Sequence, residues 1–330
     1  MNLEEVARRA GVSIATASRV LNNAPRVKDT TRVRVMSIVE KLKYHPNLHA
    51  RCLAGGRSRS IGVIISNIEN PFFRDIYTAL EAAARAEDYE LLLANTDYRS
   101  EQVVTSVRSM MGRRVSGLAA IVSEMDPELV RELNGYGIPV VFYDAGVPRR
   151  NVTVLRVNYR RGIQKLTSYL YSLGHRRMGI VGHQAFLAQM KERLEVAMEI
   201  PSRYSDAVVE TAADVDSLQG GRRAARRLLS ANPRLTAILC VNDSMAMGAM
   251  REIRDQGLRV PDDISVTGFD DVELAQFCYP ALTSVRIPRD QIAREIWSAM
   301  VGSERTRPGH EILIEPELIL RDSTGPAVRS

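Results

Sequence analysis

The chain has 330 residues, 45% of them hydrophobic, which suits two or three compact units, and it lacks the run of ~18 apolar residues that a membrane span needs. Its three cysteines, Cys52, Cys240 and Cys278, are scattered and odd in number, which excludes a disulfide framework and a CxxC metal pair and points to a reduced, cytoplasmic setting. Net charge is +6, but residues 1–60 hold twelve Lys/Arg against four Asp/Glu, so a head of +8 precedes 270 residues at −2, the electrostatic footprint of a polyanion binder.

In chain order, MNLEEVARRAG has no signal-peptide layout and reads as a short helix. Asn2 is its expected N-cap, with Glu5 completing a capping box. Leu3, Val6, Ala7 and Ala10 form its buried face, and Gly11 stops it. Ser13 caps a second helix over GVSIATASRVLN, which buries Val12, Ala17, Val20 and Leu21. The other face carries Ile14, Ala15, Thr16, Ser18, Arg19 and Asn22. These side chains are short in the first turn, as a helix must be if its backbone is to approach base edges in a major groove. Arg19, one turn on, has the reach to bond a guanine edge twice. A third helix over TTRVRVMSIVEKLKY spaces Val35, Ile38, Val39 and Leu42 at i, i+3, i+4 and i+7. Helix, tight glycine turn, helix and brace make a helix-turn-helix head, with an ordinary three-helix bundle as the bland alternative. Pro46 is expected to end the third helix. The segment 47–60, LHARCLAGGRSRS with its preceding residue, reads as a linker in which Asn47–Leu53 forms a helix too short to stand alone.

From Ile61 the pattern changes. The apolar runs IGVII, ELLLAN, GLAAIV and IPVVFYD alternate with amphipathic stretches, and MGIVG, DAVVE, TAILCV and ISVTGF repeat the scheme. Strands separated by helices imply parallel βαβ units, and two series imply two similar lobes. TSVRI and ILIEPELIL are expected to return and complete both. Ligands in such sheets bind beyond the carboxyl ends of the strands, which makes the cleft between the lobes the natural site. No GxGxxG, GxxxxGK[ST] or HExxH occurs, and the five histidines are dispersed, so no nucleotide cofactor and no metal are expected.

EVARRAGVSIATASRVLN, YHPNLHARCLAGGRS, IGVIISNIENPFF, GHRRMGIVG, NDSMAMGAM, GLRVPDDISVTGFDD and PALTSVR, in that order and across essentially the whole chain, resemble the lactose-repressor/galactose-repressor family of bacterial transcription regulators. The resemblance implies an all-α helix-turn-helix head at 1–46, a hinge helix and linker at 47–60, and an α/β core at 61–330 with two parallel-sheet lobes like periplasmic sugar-binding proteins. Lobe 1 then takes about 61–158 and 287–315, and lobe 2 about 159–286 and 316–330. It further implies a homodimer on a pseudo-palindromic double-stranded operator, with Ser13, Ile14, Ala15, Thr16, Ser18, Arg19, Asn22 and Arg51 at the DNA. By the same resemblance Leu53 is expected to wedge into the minor groove. Two departures stand out here, Cys52 in place of a small residue before Leu53, and Lys28 where a serine often caps the third helix, so that Asp29 or Thr30 caps instead.

By the same resemblance Phe72, Phe73, Ser123, Asp144, Arg193, Asn242 and Asp270 face a small, sugar-like effector. Amides and carboxylates converging on a cleft suit a polyol, although a loop-capping role competes for each. After Gly182 the family pattern of arginine, two residues, glycine and an aromatic becomes ERLEVAM, and the place of an aromatic lid falls near Asp216, which cannot stack on a sugar ring. The altered pocket leaves open a regulator governed mainly by a protein partner. Arg222, Arg223, Arg226 and Arg227 crowd one helix, either as a solvated face or as a second anion or partner surface.

Overall fold

Caps and helical periodicity shape the first unit. The computed structural model describes residues 2–21, 24, 27–44, 58–123, 125, 127–133, 137–183, 188–199, 204–301 and 308–328, and the chain divides into units 1–58 and 59–330. In the first, α1 (Leu3–Ala10), α2 (Ile14–Leu21) and α3 (Asp29–Lys41) pack together. The Asn2 side chain accepts from the Glu5 N–H at 3.0 Å, but the Glu5 carboxylate turns to Arg8 and Arg9 at 2.6 and 2.7 Å, so the reciprocal half of the capping box is spent on ion pairs. Gly11 closes α1 with a left-handed φ of 62°, and Ser13 Oγ accepts from the Thr16 N–H at 3.1 Å. Val6, Ala7, Ala10, Ala17, Val20 and Val35 are buried, with Leu3, Val12, Ile38, Val39 and Leu42 packed around them. Eight-residue helices are marginal alone, and this shared core is what holds them.

Two local expectations are corrected. Asp29 and Thr30 do not cap α3; both lie inside its first turn, and Lys28 occupies the cap with no side-chain bond. Asp29 there complements the positive end of the helix dipole instead. The helix also ends at Lys41, before Pro46: Lys43 takes φ 47°, and the N–H groups of Lys43 and Tyr44 close on the carbonyls of Glu40 and Val39. Pro46, the Asn47–Leu53 helix and Cys52 lie outside the described residues.

The second unit holds two six-stranded sheets. Lobe 1 comprises β1 (Ser60–Ile65), α4 (Pro71–Ala86), β2 (Glu90–Asn95), α5 (Ser100–Gly112), β3 (Gly117–Ile121), α6 (Pro127–Leu133), β4 (Val140–Tyr143) and β5 (Val152–Val157). Lobe 2 comprises α7 (Tyr159–Ser172), β6 (Arg177–His183), α8 (Ala188–Met198), β7 (Val208–Asp214), α9 (Leu218–Ala231), β8 (Ala237–Cys240), α10 (Asp243–Asp255), β9 (Ser265–Asp270) and β10 (Thr283–Arg286). The chain then returns through α11 (Arg289–Met300), which packs on α4, to β11 (Glu311–Ile314) and β12 (Glu317–Ile319). The sheet orders are β11-β5-β4-β3-β1-β2 and β12-β10-β9-β8-β6-β7.

β5 was not anticipated as a strand. It pairs parallel with β4 across a connection with no helix, so the alternation of strand and helix on which the reading relied is broken there. TSVRI stays in lobe 2 as β10, beside β9. The run ILIEPELIL instead serves both lobes: β11 pairs parallel with β5 and β12 pairs antiparallel with β10, with Glu315-Pro316 between them. In lobe 2, α9 lies close on α10 because each offers a glycine. A Cβ added at Gly221 would collide with the Met245 carbonyl oxygen, and one at Gly248 with that of Leu218. No helix among the described residues is long and apolar enough to cross a membrane.

Candidate DNA-reading face and effector cleft

The outer face of α2 is assembled in the way the spacing implies. Ser13, Ile14, Ala15 and Arg19 are exposed, while Thr16 and Ser18 are half-buried. Ile14 is 47% exposed at the helix start, an apolar side chain on the open face of α2. Ser13 Oγ and Thr16 Oγ1 lie 2.9 Å apart, so each hydroxyl arrives already oriented by the other. On α3, Arg32 donates to the Ala24 carbonyl at 2.8 Å and braces the connection from α2. Asn22, Arg51 and Leu53 lie outside the described residues.

In the core, the carboxyl ends of both sheets face one cavity of about 20 Å³, room for little more than one water molecule. Of the seven expected effector residues, six line it: Phe72, Phe73 and Ser123 from lobe 1, and Arg193, Asn242 and Asp270 from lobe 2. Phe72 and Phe73 open α4 behind the Asn70 cap and Pro71, in edge-on contact with centroids 5.3 Å apart. The Ser123 N–H donates to Ser66 Oγ at 2.9 Å. Arg193 is 6% exposed, with its guanidinium over the Tyr159 and Phe269 rings at 4.3 and 4.4 Å. It donates to the Val241 carbonyl at 2.8 Å, and its Nε finds no partner among the described residues.

Asp270 ends β9 at φ 102°, a conformation that costs a residue with a Cβ. Burial pushes its carboxyl up to about 7, with Arg193 and then Arg289 pulling the other way. Asp270 therefore stands at the edge of protonation near neutral pH, able to accept from a ligand or to donate to one.

Asp144 is the exception and is corrected. It does not line the cavity. Its carboxylate accepts from the Val157 N–H at 2.8 Å and from the Tyr159 hydroxyl at 2.5 Å, and burial pushes it up to about 6. Tyr143 Oη lies 3.0 Å from Tyr159 Oη, and because Tyr159 donates to Asp144, Tyr143 must donate to Tyr159. Asp144 thus anchors a chain of hydroxyls that fixes two cavity walls.

Asn70, Tyr98, Tyr143 and Tyr159 also line the cavity and were not anticipated. Two had a legible signal: Tyr143 is the last residue of β4 and Tyr98 follows β2 closely, both at carboxyl ends. Asp216, expected to leave a gap where an aromatic lid belongs, is bonded across the cleft to lobe 1, accepting from Asn70 Nδ2 at 3.0 Å and Tyr98 Oη at 2.5 Å. Within its own lobe it accepts from Asn242 Nδ2 at 2.6 Å.

Each arginine of the cluster on α9 is paired with a carboxylate of the same lobe, Asp214 serving two of them. Arg223 and Arg227 meet Asp214 at 2.5 and 3.0 Å. Arg226 meets Glu252 at 2.7 Å and Arg222 meets Asp255 at 2.6 Å.

Comparison with known proteins agrees with this architecture. Residues 2–47 match the family described as bacterial regulatory proteins, lacI family, and residues 167–324 match the periplasmic binding protein-like domain. The transcriptional regulator GalR of Escherichia coli (strain K12) is 31% identical over 97% of this chain and 95% of its own. The solved lac repressor dimer, bound to operator and the anti-inducer ONPF, superposes with a TM-score of 0.84 at 27% identity, over 98% of this chain and 99% of that one. A complex of the regulator CelR with cellobiose gives 0.69 at 26% identity, over 98% and 99%.

Proposed function

Given that the chain belongs to the LacI family and is a DNA-binding transcription regulator rather than an enzyme, we propose that it is a repressor whose operator affinity is set by a small polar effector, a sugar or related metabolite, bound between the lobes. The observation that carries this reading is that Phe72, Phe73 and Ser123 of lobe 1 and Arg193, Asn242 and Asp270 of lobe 2 line one cavity. A ligand held by both lobes necessarily favours one arrangement of them over another, and that difference in binding free energy is all that can shift an equilibrium. The lac repressor bound to operator and ONPF, and the CelR–cellobiose complex, support the same division of labour.

In this reading the protein acts in the cytoplasm as a homodimer on a pseudo-palindromic double-stranded operator, with no cofactor. Ser13, Ile14, Ala15, Thr16, Ser18, Arg19 and Asn22 read the major groove. Arg51 contacts the DNA, and Leu53 enters the minor groove. The basic head makes binding strongly salt-dependent. Asp144 keeps a role at one remove, by holding Tyr159. The test is fluorescence anisotropy with DNA from the region upstream of its own gene, titrated with sugars, sugar phosphates and purines. A ligand that shifts the affinity at least about tenfold supports the reading.

A second reading is favoured by one observation. The cavity is water-sized and Asp216 ties up Asn70, Tyr98 and Asn242 of its lining, which suits a regulator governed by a protein partner. DNA binding that no small molecule shifts, but that a partner does, would replace the first reading with this one.

A further inference from the structure

Asp216 meets three donors whose directions are already dictated. Asn70 caps α4, its Oδ1 accepting from the Phe72 N–H at 3.0 Å. Asn242 caps α10, its Oδ1 accepting from the Met245 N–H at 2.9 Å. With each amide oxygen committed to a backbone N–H, each amide nitrogen has to point away from its helix, and both point at the Asp216 carboxylate. The Tyr98 hydroxyl makes the third contact. Burial first, and then the Asp216 charge, raise that hydroxyl well above its ordinary value, so it stays protonated and donates. Asn70 and Tyr98 belong to lobe 1, Asn242 and Asp216 to lobe 2. The three donors are neutral, the hydrogen bonds to the carboxylate are charge-assisted, and those from Asn70 and Tyr98 cross the cleft while that from Asn242 holds Asp216 within lobe 2.

We propose that Asn70, Tyr98 and Asn242 form a carboxylate-binding site that the chain fills with its own Asp216, latching the lobes together before any effector arrives. This rests on the reading of the cleft as the effector site and names what that site takes: an external carboxylate competes for the three donors, and Asp216, half-buried on the loop before α9, swings out to solvent. A neutral sugar offers no acceptor of comparable strength, so the cleft discriminates in favour of acidic effectors.

The test uses the full chain with Asp216→Ala, spin labels at E101C in lobe 1 and R234C in lobe 2, and Cys52 and Cys278 replaced by alanine. Two quantities are read, the interlobe distance distribution and the affinity for upstream DNA. Removing Asp216 should lengthen and broaden the distances and change DNA affinity at least about fivefold. Sodium formate, but not sodium chloride at equal ionic strength, should restore both. Unchanged distances, or formate and chloride acting alike, overturn the proposal. Distances that move and are restored by formate while DNA affinity stays constant uphold the carboxylate site and instead refute coupling of the cleft to DNA. If Asp216→Ala does not fold, Tyr98→Phe decides, because it keeps the carboxylate and removes one donor. A smaller shift in the same direction upholds the latch, and none overturns it.

Discussion

Replacing Asp270 by asparagine should stabilise unit 59–330 more at pH 8 than at pH 5. Asp270 is 3% exposed, and burial raises its carboxyl from 3.8 to about 7 in the folded chain. Between those values the folded state holds a proton that the unfolded state has released. The stability this represents is complete below 3.8 and is lost as the pH rises through about 7. At ~1.4 kcal/mol per pH unit the whole loss is about 4 kcal/mol, of which roughly 2–3 kcal/mol falls between pH 5 and pH 8. Asparagine carries no such proton, so the stability difference between variant and wild type should widen by that amount over the same interval. Asp144 titrates in the same direction but is common to both proteins and drops out of the difference. The assay is denaturant unfolding at fixed protein concentration, followed by fluorescence and by circular dichroism. Trp297 is the single tryptophan and lies in lobe 1, where its Nε1 donates to Glu87 at 2.8 Å. Coincidence of the two signals checks that the lobes unfold together. A stability difference independent of pH would refute the reasoning, since it would mean that Asp270 is already ionised in the folded protein at pH 5.

Arg19→Ala should cost about 1–3 kcal/mol of discrimination at a single base position; if anisotropy shows every operator variant weakened equally, Arg19 contacts only the backbone. Gly221→Ala places a methyl group against the Met245 carbonyl, a backbone atom that cannot move aside, and should lower stability by ~1–3 kcal/mol. A denaturant midpoint at or above that of wild type contradicts the close approach of α9 to α10. Arg226 holds the Glu252 carboxyl down at about 2, below its ordinary 4.5, so its stabilisation is present above 4.5 and lost as the pH falls toward 2. Because Arg226 is itself largely exposed, Glu252→Gln should cost only about 1–2 kcal/mol at neutral pH, and the cost should vanish in acid. A penalty that persists at pH 2 points to packing rather than charge.

The first two helices of the head and their shared core were legible because their determinants are local, whereas the cap and the end of α3 were not. Asn2, Gly11 and Ser13 act within four residues of themselves, and the periodicity that buries Val6, Ala10, Ala17 and Val20 repeats inside one or two turns. The lobes were legible from the alternation of strand and helix, and the six cavity-lining residues from the resemblance to a known family, with Asn242 and Asp270 also expected at carboxyl ends of strands. Only the tertiary structure decided what those ends do to one another. It diverted Asp144 to Tyr159, split ILIEPELIL between two sheets, and paired the arginines of α9 with Asp214, Glu252 and Asp255. It also turned Asp216 from a missing lid into a latch. Asp216 lies 146 residues from Asn70 and 118 from Tyr98, and no short-range pattern relates them. A carboxylate in a sequence has a charge and a reach, but its partners are chosen by packing, which brings together donors that caps and strands far apart in the chain have already aimed.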